Sequence, residues 1–392
     1  MFEAMSYSAL QAYWWILVSV IGGILVFLML VQGGQTLFPK LSENEDQKTV
    51  LINLFGHKWE MTFTTLVVFG GALFASFPLF YSTSFGGAYW VWMIILFAFI
   101  VQAVSYEFRR RDKKFLGSRT YEFFLVINGI IAPLLLGIAV STFFTGSPFT
   151  VEKEALVRMG TEQSVVISRW GTVWHGLEAL WNTDGAAFLW NIALGLAVFF
   201  LVRNLALLYI IRMVKDEQLT AKARKCLHRM APPFLVFFLT WLTGILFYKG
   251  FGVGADGKIY REAGIYASHL IEHPVVPVIL LAGVLLVLYG FYMALFRDAG
   301  RAFGWVGAGT VLAVTGILLW AGLTGSPFYP SNLDWQSSLT VANSSSSRFT
   351  LVVMAYVSLL VPFVAAYMIW AWKTLDKTKI DTAELKTEEH VY

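Results

Sequence analysis

The sequence predicts an all-α polytopic membrane protein of about nine transmembrane helices, arranged as two four-helix bundles plus one peripheral helix. Three observations predict it. Of 392 residues, 57% are hydrophobic and only 14% charged, where a soluble protein carries about 25% charged residues. Nine apolar runs reach the ~20 residues that a helix needs to cross a bilayer core. Lys and Arg sort to alternate loops between those runs, so the net charge of +4 reflects membrane orientation and not a nucleic-acid surface.

The runs fall in order at 13–37, 59–82, 88–108, 121–145, 186–213, 228–248, 274–296, 302–323 and 349–372. Residues 1–12 form a segment ahead of the first run, MFEAMSYSALQA. It lacks the basic start and cleavage pattern of a signal peptide, so the first run is expected to stay as the first helix. Residues 13–145 make the first four-helix bundle and 186–323 the second. Residues 324–373 hold a loop and the ninth helix, and 374–392 a mixed-charge tail expected to be disordered from residue 376 onward. An odd number of spans puts the termini on opposite sides. The loops after spans 1, 3, 5 and 7 and the tail hold 21 of the 29 Lys and Arg; the longer opposite set holds seven, and Arg203 lies inside span 5. The expected orientation is therefore N-terminus outside and C-terminus in the cytoplasm.

TGSPF occurs twice, at 145–149 and 324–328, after spans 4 and 8. A parallel repeat of spans 1–4 and 5–8 explains that placement, and so does ordinary turn chemistry. In the loop 146–185, RWGTVWHGLEALW (169–181) puts Trp170, Trp174, Leu177 and Trp181 near one helical face. An amphipathic helix in the membrane interface is expected there, serving as an aromatic anchor.

Chemistry is limited by what the spans contain. The single cysteine, Cys226, excludes an intrachain disulfide and a thiolate cluster within the chain. There is no HExxH and no nucleotide-binding glycine pattern in a strand–helix context. His57, His228 and His273 lie at span edges, and His175, His269 and His390 in loops or the tail. A membrane haem protein normally ligates iron from residues within its helices, so this chain is a poor haem carrier on its own. Intramembrane polarity remains, and it is costly enough to need a reason. Glu60 opens span 2, Glu107 closes span 3 and Glu122 opens span 4. All three are expected at the same end, where a partly buried carboxylate can hold and pass a proton. The plainer reading gives Glu60 and Glu122 a helix N-terminus and pairs Glu107 with Arg109, Arg110 or Arg111. Arg203, nine residues before Arg212 in span 5, needs a carboxylate, a carbonyl or a water-filled cavity, or else is a structural ion pair. Gln102, Ser105, Asn128 and Asn191 suit interhelical hydrogen bonds. Serine caps explain the start of span 9, NSSSSRFT, but not why four serines stand in a row.

Several segments together resemble subunit II of cytochrome bd-type quinol oxidase: YWW (13–15), WE (59–60), GGALFASFPLFYSTSFGGAYW (70–90), YEFR (106–109) and SSLTVANSSSSRFTLVVMAYVSLLVPFVAAYMIWAWK (337–373). The likeness covers nearly the whole chain in order and is strongest at 59–122 and 324–373. It implies a bacterial cytoplasmic-membrane complex that reduces oxygen to water with quinol electrons. It implies haem b and haem d in a partner, subunit I, and none held by this chain. It implies that this subunit stabilises the heterodimer and lends groups to a proton path from the cytoplasm. Glu60, Glu107 and Glu122 fall at acids of that path, with Trp59 beside the first. A structural quinone or lipid in this chain and a small accessory subunit are compatible with it. The sequence also departs from the family pattern. VQGGQTL (31–37) has Gln32 and Gln35 where acids are expected, and Gln102 stands where an Arg is expected, as if one polar network had been neutralised as a unit. Arg203 has no counterpart. The competing class is a secondary transporter of a small anion, which nine spans and a buried Arg would suit. No pair of spans, however, is clearly interrupted at mid-membrane.

Overall fold

The computed structural model describes residues 2–111, 115–152, 167–181, 185–297 and 299–380. Among them nine helical stretches are long and apolar enough to cross a membrane: Tyr7–Gln35, Glu45–Ser76, Tyr89–Phe108, Ser118–Thr145, Ala187–Met213, Glu217–Phe247, Val275–Phe296, Gly300–Leu323 and Arg348–Leu375. Each overlaps one of the expected runs over most of its length. Among the described residues the strands form two small antiparallel pairs in the connections, Phe149–Val151 with Ser168–Trp170 and Lys249–Val253 with Ile259–Ala263, beside three isolated bridges.

Boundaries differ from the hydropathy reading where polar residues extend a helix beyond its apolar part. Span 1 starts at Tyr7 because Ser6 caps it, accepting from the Ala9 amide. Span 6 starts at Glu217, capped by Asp216, so the basic stretch before residue 228 is helical and not a loop. Span 2 is preceded by a helix, Glu45–Gly56, with Asn44 as its cap. Val50, Leu51, Ile52, Leu54 and Phe55 of that helix are buried, and it meets the helix Trp59–Ser76 at a break over His57 and Lys58. Span 9 is two helices, Arg348–Ser358 and Val361–Leu375, parted ahead of Pro362, whose ring removes a backbone donor.

Spans 1 and 5 form the centre. Span 1 packs on span 8, span 5 on span 4, and the two meet each other; spans 3 and 7 pack on spans 4 and 8, and span 6 on span 5. Small residues set the closest approaches, as expected where lipid supplies no hydrophobic drive. A Cβ on Gly33 would stand 2.1 Å from the Val202 carbonyl oxygen, and one on Gly137 would stand 2.7 Å from the Gly195 Cα. Span 9 is peripheral, and its second helix buries no residue. The two TGSPF copies share the geometry of their first two residues, although only the first runs on into a strand. Gly146 and Gly325 both have φ +84°, and Thr145 and Thr324 each donate to the carbonyl four residues earlier.

Two expectations fail. Residues 169–181 are not an amphipathic helix. The chain pairs as a strand through Trp170, turns through His175 and Gly176, and ends in a short 3-10 turn, Leu177–Leu180. Gly176 is the reason: its φ is +98°, and a Cβ there would lie 2.7 Å from the Ala88 Cβ. Trp170 is drawn inward, donating to the Thr83 carbonyl at 3.0 Å, whereas Trp174 and Trp181 stay exposed. The tail is not free from residue 376 either. Ile380 donates to the Met213 carbonyl at 2.9 Å and accepts from Lys215 at 3.1 Å; residues 381–392 lie outside the described residues. The four serines divide their work. Ser344 and Ser345 bond back to Thr340 and Val341. The Ser346 amide donates to Ser76 and its carbonyl accepts from Tyr7, and Ser347 caps span 9 through the Thr350 amide.

Candidate functional site

The basic ends of spans 2, 3, 4, 5 and 9 converge with the end of span 1. The start of span 2 carries the residues Lys58, Trp59 and Glu60, and the helix turns them in different directions. Lys58 is 2% exposed and reaches Asp376 at 3.0 Å. Its ammonium lies 5.2 Å from the ring centroids of both Tyr209 and Trp372. Tyr209 donates to the same carboxylate at 2.6 Å and the Trp372 indole at 2.9 Å. One largely covered carboxylate thus ties spans 2, 5 and 9 together. The sequence reading missed both charged partners, because Lys58 looked like a flanking base and Asp376 like the first residue of a loose tail.

Trp59 turns inward and stacks on Tyr106, centroids 6.1 Å apart and planes 12° from parallel. Its indole nitrogen is buried without a partner among the described residues. Glu60 turns outward and is exposed, with no hydrogen bond or ion pair among the described residues. It begins a stripe of exposed positions down span 2, continuing through Thr64, Val67, Gly71 and Phe74. The alternating steps of four and three are those of a helix seam meeting another helix. Span 3 has a matching stripe, Trp90, Met93, Phe97, Ile100 and Val104, which ends on Glu107. Glu107 is exposed and paired with Arg111, one of the three arginines named for it.

Glu122 is bound differently. Arg109, 5% exposed, donates to one of its oxygens from Nε at 3.1 Å and from Nη2 at 2.9 Å, and Lys48 reaches the other at 3.2 Å. Spans 3 and 4 and the helix before span 2 are joined there. Lys48, Arg119 and Glu122 stand on the wall of a cavity of about 690 Å³. The three acids therefore share one end of the molecule but do not form one cluster.

Deeper, Gln32 donates to Gln102 at 2.7 Å and Gln35 to the Tyr106 hydroxyl at 3.2 Å. The three glutamines at the departures from the family pattern are thus one neighbourhood, and two of them touch. Gln32, Gln102 and Asn128 are fully buried, and each keeps at least one amide atom without a partner among the described residues. Buried polar atoms of this kind are usually satisfied by ordered water. Asn191 does bond across spans, accepting from Thr145 and donating to Ala179, whereas Ser105 bonds only to Val101 of its own helix. Arg203 meets neither a carboxylate nor a carbonyl among the described residues. Its guanidinium lies over the Phe199 ring at 5.1 Å, one turn away, and its Nε is unpartnered. An aromatic face is a cheap partner for a cation that lipid would otherwise strand.

Three histidines have local partners: His175 bonds through Nδ1 to the Gly87 carbonyl, His228 to Arg224 and His269 to the Ser326 hydroxyl. His175 lies in a turn, His228 on an exposed face of span 6 and His269 in the short helix Ile265–Glu272. The arrangement can hold fixed charge, carry water among amides and present one free carboxylate outward.

The sequence model of the family described as cytochrome bd terminal oxidase subunit II matches residues 10–375. Cytochrome bd-I ubiquinol oxidase subunit 2 of Escherichia coli (strain K12) is 24% identical over 387 residues, covering 97% of this chain and 98% of its own. Cytochrome bd ubiquinol oxidase subunit 2 of Bacillus subtilis (strain 168) is 25% identical over 377 residues, covering 94% and 97%. A chain of the bd oxidase from Geobacillus thermodenitrificans aligns over 93% of this chain and 96% of its own, with a TM-score of 0.48 and 12% identity.

Proposed function

The chain belongs to the cytochrome bd terminal oxidase subunit II family, and from that premise we propose that it is the non-haem subunit of a complex reducing oxygen to water with quinol electrons. In this reading haem b and haem d sit in subunit I, which supplies the redox chemistry. The present chain braces that subunit and helps to bring it protons from the cytoplasm. Its N-terminus lies outside, its basic end faces the cytoplasm, and its two four-helix halves are a repeat. Family membership displaces the anion-carrier reading.

The observation that carries the proton role is the outward, unpaired carboxylate of Glu60 at the head of an apolar seam. A free carboxylate on such a face is stable only if water or a partner group meets it. A docked helix of subunit I would enclose it beside that subunit, and partial enclosure is what lets a carboxylate hold a proton near neutral pH. Glu107 stands at the head of the second seam as an exposed acceptor for protons from the cytoplasm. Glu122, held by Arg109 and Lys48, serves as a fixed counter-charge at the mouth.

The test begins with purification from native membranes, a reduced-minus-oxidised spectrum and quinol-driven oxygen uptake. Co-purifying haem b and haem d with oxygen uptake is the expected result. Glu60→Gln is expected to lower turnover about 10²-fold, the scale of a lost proton-transfer group, with assembly and haem content intact. Unchanged turnover in that variant removes the role. Glu122→Gln is expected instead to reduce the yield of assembled complex.

A further inference from the structure

A second cavity, of about 520 Å³, lies between spans 1, 2, 5 and 9 at the basic end. Its lining joins apolar and basic side chains. Phe27, Met61, Met368 and, one turn beyond Met368, Trp372 share it with Arg212 and Lys373. Asp376 also lines it, but its oxygens are taken by Lys58, Tyr209 and Trp372. Its charge is therefore spent on the interior. Arg212 lies over the Phe303 ring at 5.7 Å, and neither it nor Lys373 makes an ion pair among the described residues. One wall is the helix Val361–Leu375, which buries no residue and meets the surroundings of the bundle along its length. The cavity thus has apolar walls, an amphipathic indole of the kind that favours a membrane interface, and two cations that make no ion pair among the described residues.

We propose that this cavity seats an anionic phospholipid, its phosphate between Arg212 and Lys373 and its upper acyl chains against Phe27, Met61 and Met368. Two unpaired cations beside an apolar slot select a ligand that is negative at one end and hydrocarbon at the other. A neutral quinone ring would leave both charges uncompensated. Inorganic phosphate would leave the apolar slot unfilled. The remaining candidate is the segment 381–392, which carries Asp381, Glu384, Glu388 and Glu389 and starts just past Ile380.

The assembled complex, purified in mild detergent, tests this through native mass spectrometry and lipid extraction. The wild type is expected to retain an anionic phospholipid through delipidating washes. R212Q/K373Q is expected to lose it about thirtyfold more readily, the scale of two basic groups near a lipid phosphate, with neutral lipid unaffected. A chain ending at Ile380 is expected to retain the lipid as the wild type does. Retained quinone in its place, equal retention in R212Q/K373Q, or lipid bound only after removal of 381–392 would each overturn the proposal. Should R212Q/K373Q fail to assemble, the delipidated wild-type complex decides. Phosphatidylglycerol is expected to raise its Tm, while phosphatidylcholine, ubiquinone and inorganic phosphate are not; equal effects sink the idea.

Discussion

Lys58 and Asp376 show what single residues do at the basic end. A lysine that is 2% exposed keeps its charge only while its partner remains. Removing one member of a buried pair typically costs about 3–5 kcal/mol, whereas replacing both with apolar groups is often neutral. Asp376→Ala is therefore expected to lower the Tm of the complex strongly, and Lys58→Met with Asp376→Leu much less. A double variant as damaged as the single one would mean that the pair is needed for more than charge balance. Sequence located Glu60, Glu107 and Glu122 at one end, because hydropathy and helix direction fix depth. It could not separate their roles, because whether a carboxylate faces a cation depends on the rotation of each helix and on neighbours far along the chain. The Arg109–Glu122 pair was hidden among three adjacent arginines, all equally plausible partners for Glu107. The amide contact between Gln32 and Gln102 was half legible, as a set of positions that changed together.

Elements were legible where their apolar length exceeded any alternative, and misjudged where a glycine or a cap decided. The run 169–181 has the aromatic spacing of a helix, yet Gly176 in the left-handed region breaks it. Span 6 was cut short because its first turns are basic, although Asp216 caps them. The short helix after the second hairpin, Ile265–Glu272, carries a titration that belongs to this scale. Burial holds the His269 imidazole below its ordinary value, and its Nδ1 lies 2.8 Å from the Ser326 hydroxyl. Because the folded pKa is depressed, the unfolded chain takes up a proton first as pH falls. The stability contributed by the neutral ring is full above about pH 6.5. It declines as pH falls from there toward the folded value. Thermal stability of the complex is expected to fall between pH 7.5 and 5.5, and His269→Asn to flatten that slope. An unchanged slope would place the pH response elsewhere.

For the whole molecule, the sequence supplied span number and the hint of a repeat, while the packing order of spans needed three dimensions. Spans 1 and 5 approach most closely where Gly33 lies against the Val202 backbone. A Cβ there has no room, since the obstacle is backbone and cannot rotate away. Gly33→Val is expected to push spans 1 and 5 apart at a cost of about 1–3 kcal/mol or more, read as a lower Tm and reduced yield of the purified subunit pair. A variant as stable as the wild type would mean that the two spans slide without loss.

The central place of span 1 has a consequence for the order in which the protein is made. The Trp15 indole donates to the Leu318 carbonyl, 303 residues later, and Trp14 to Leu351, 337 residues later. Translation at about 5–20 residues per second separates the donor from its acceptor by roughly 15–60 s. Span 1 thus leaves the ribosome well before the partners that finish it. Until spans 8 and 9 arrive, its indoles must be sheltered by the insertion machinery, by lipid, or by a subunit already waiting in the membrane.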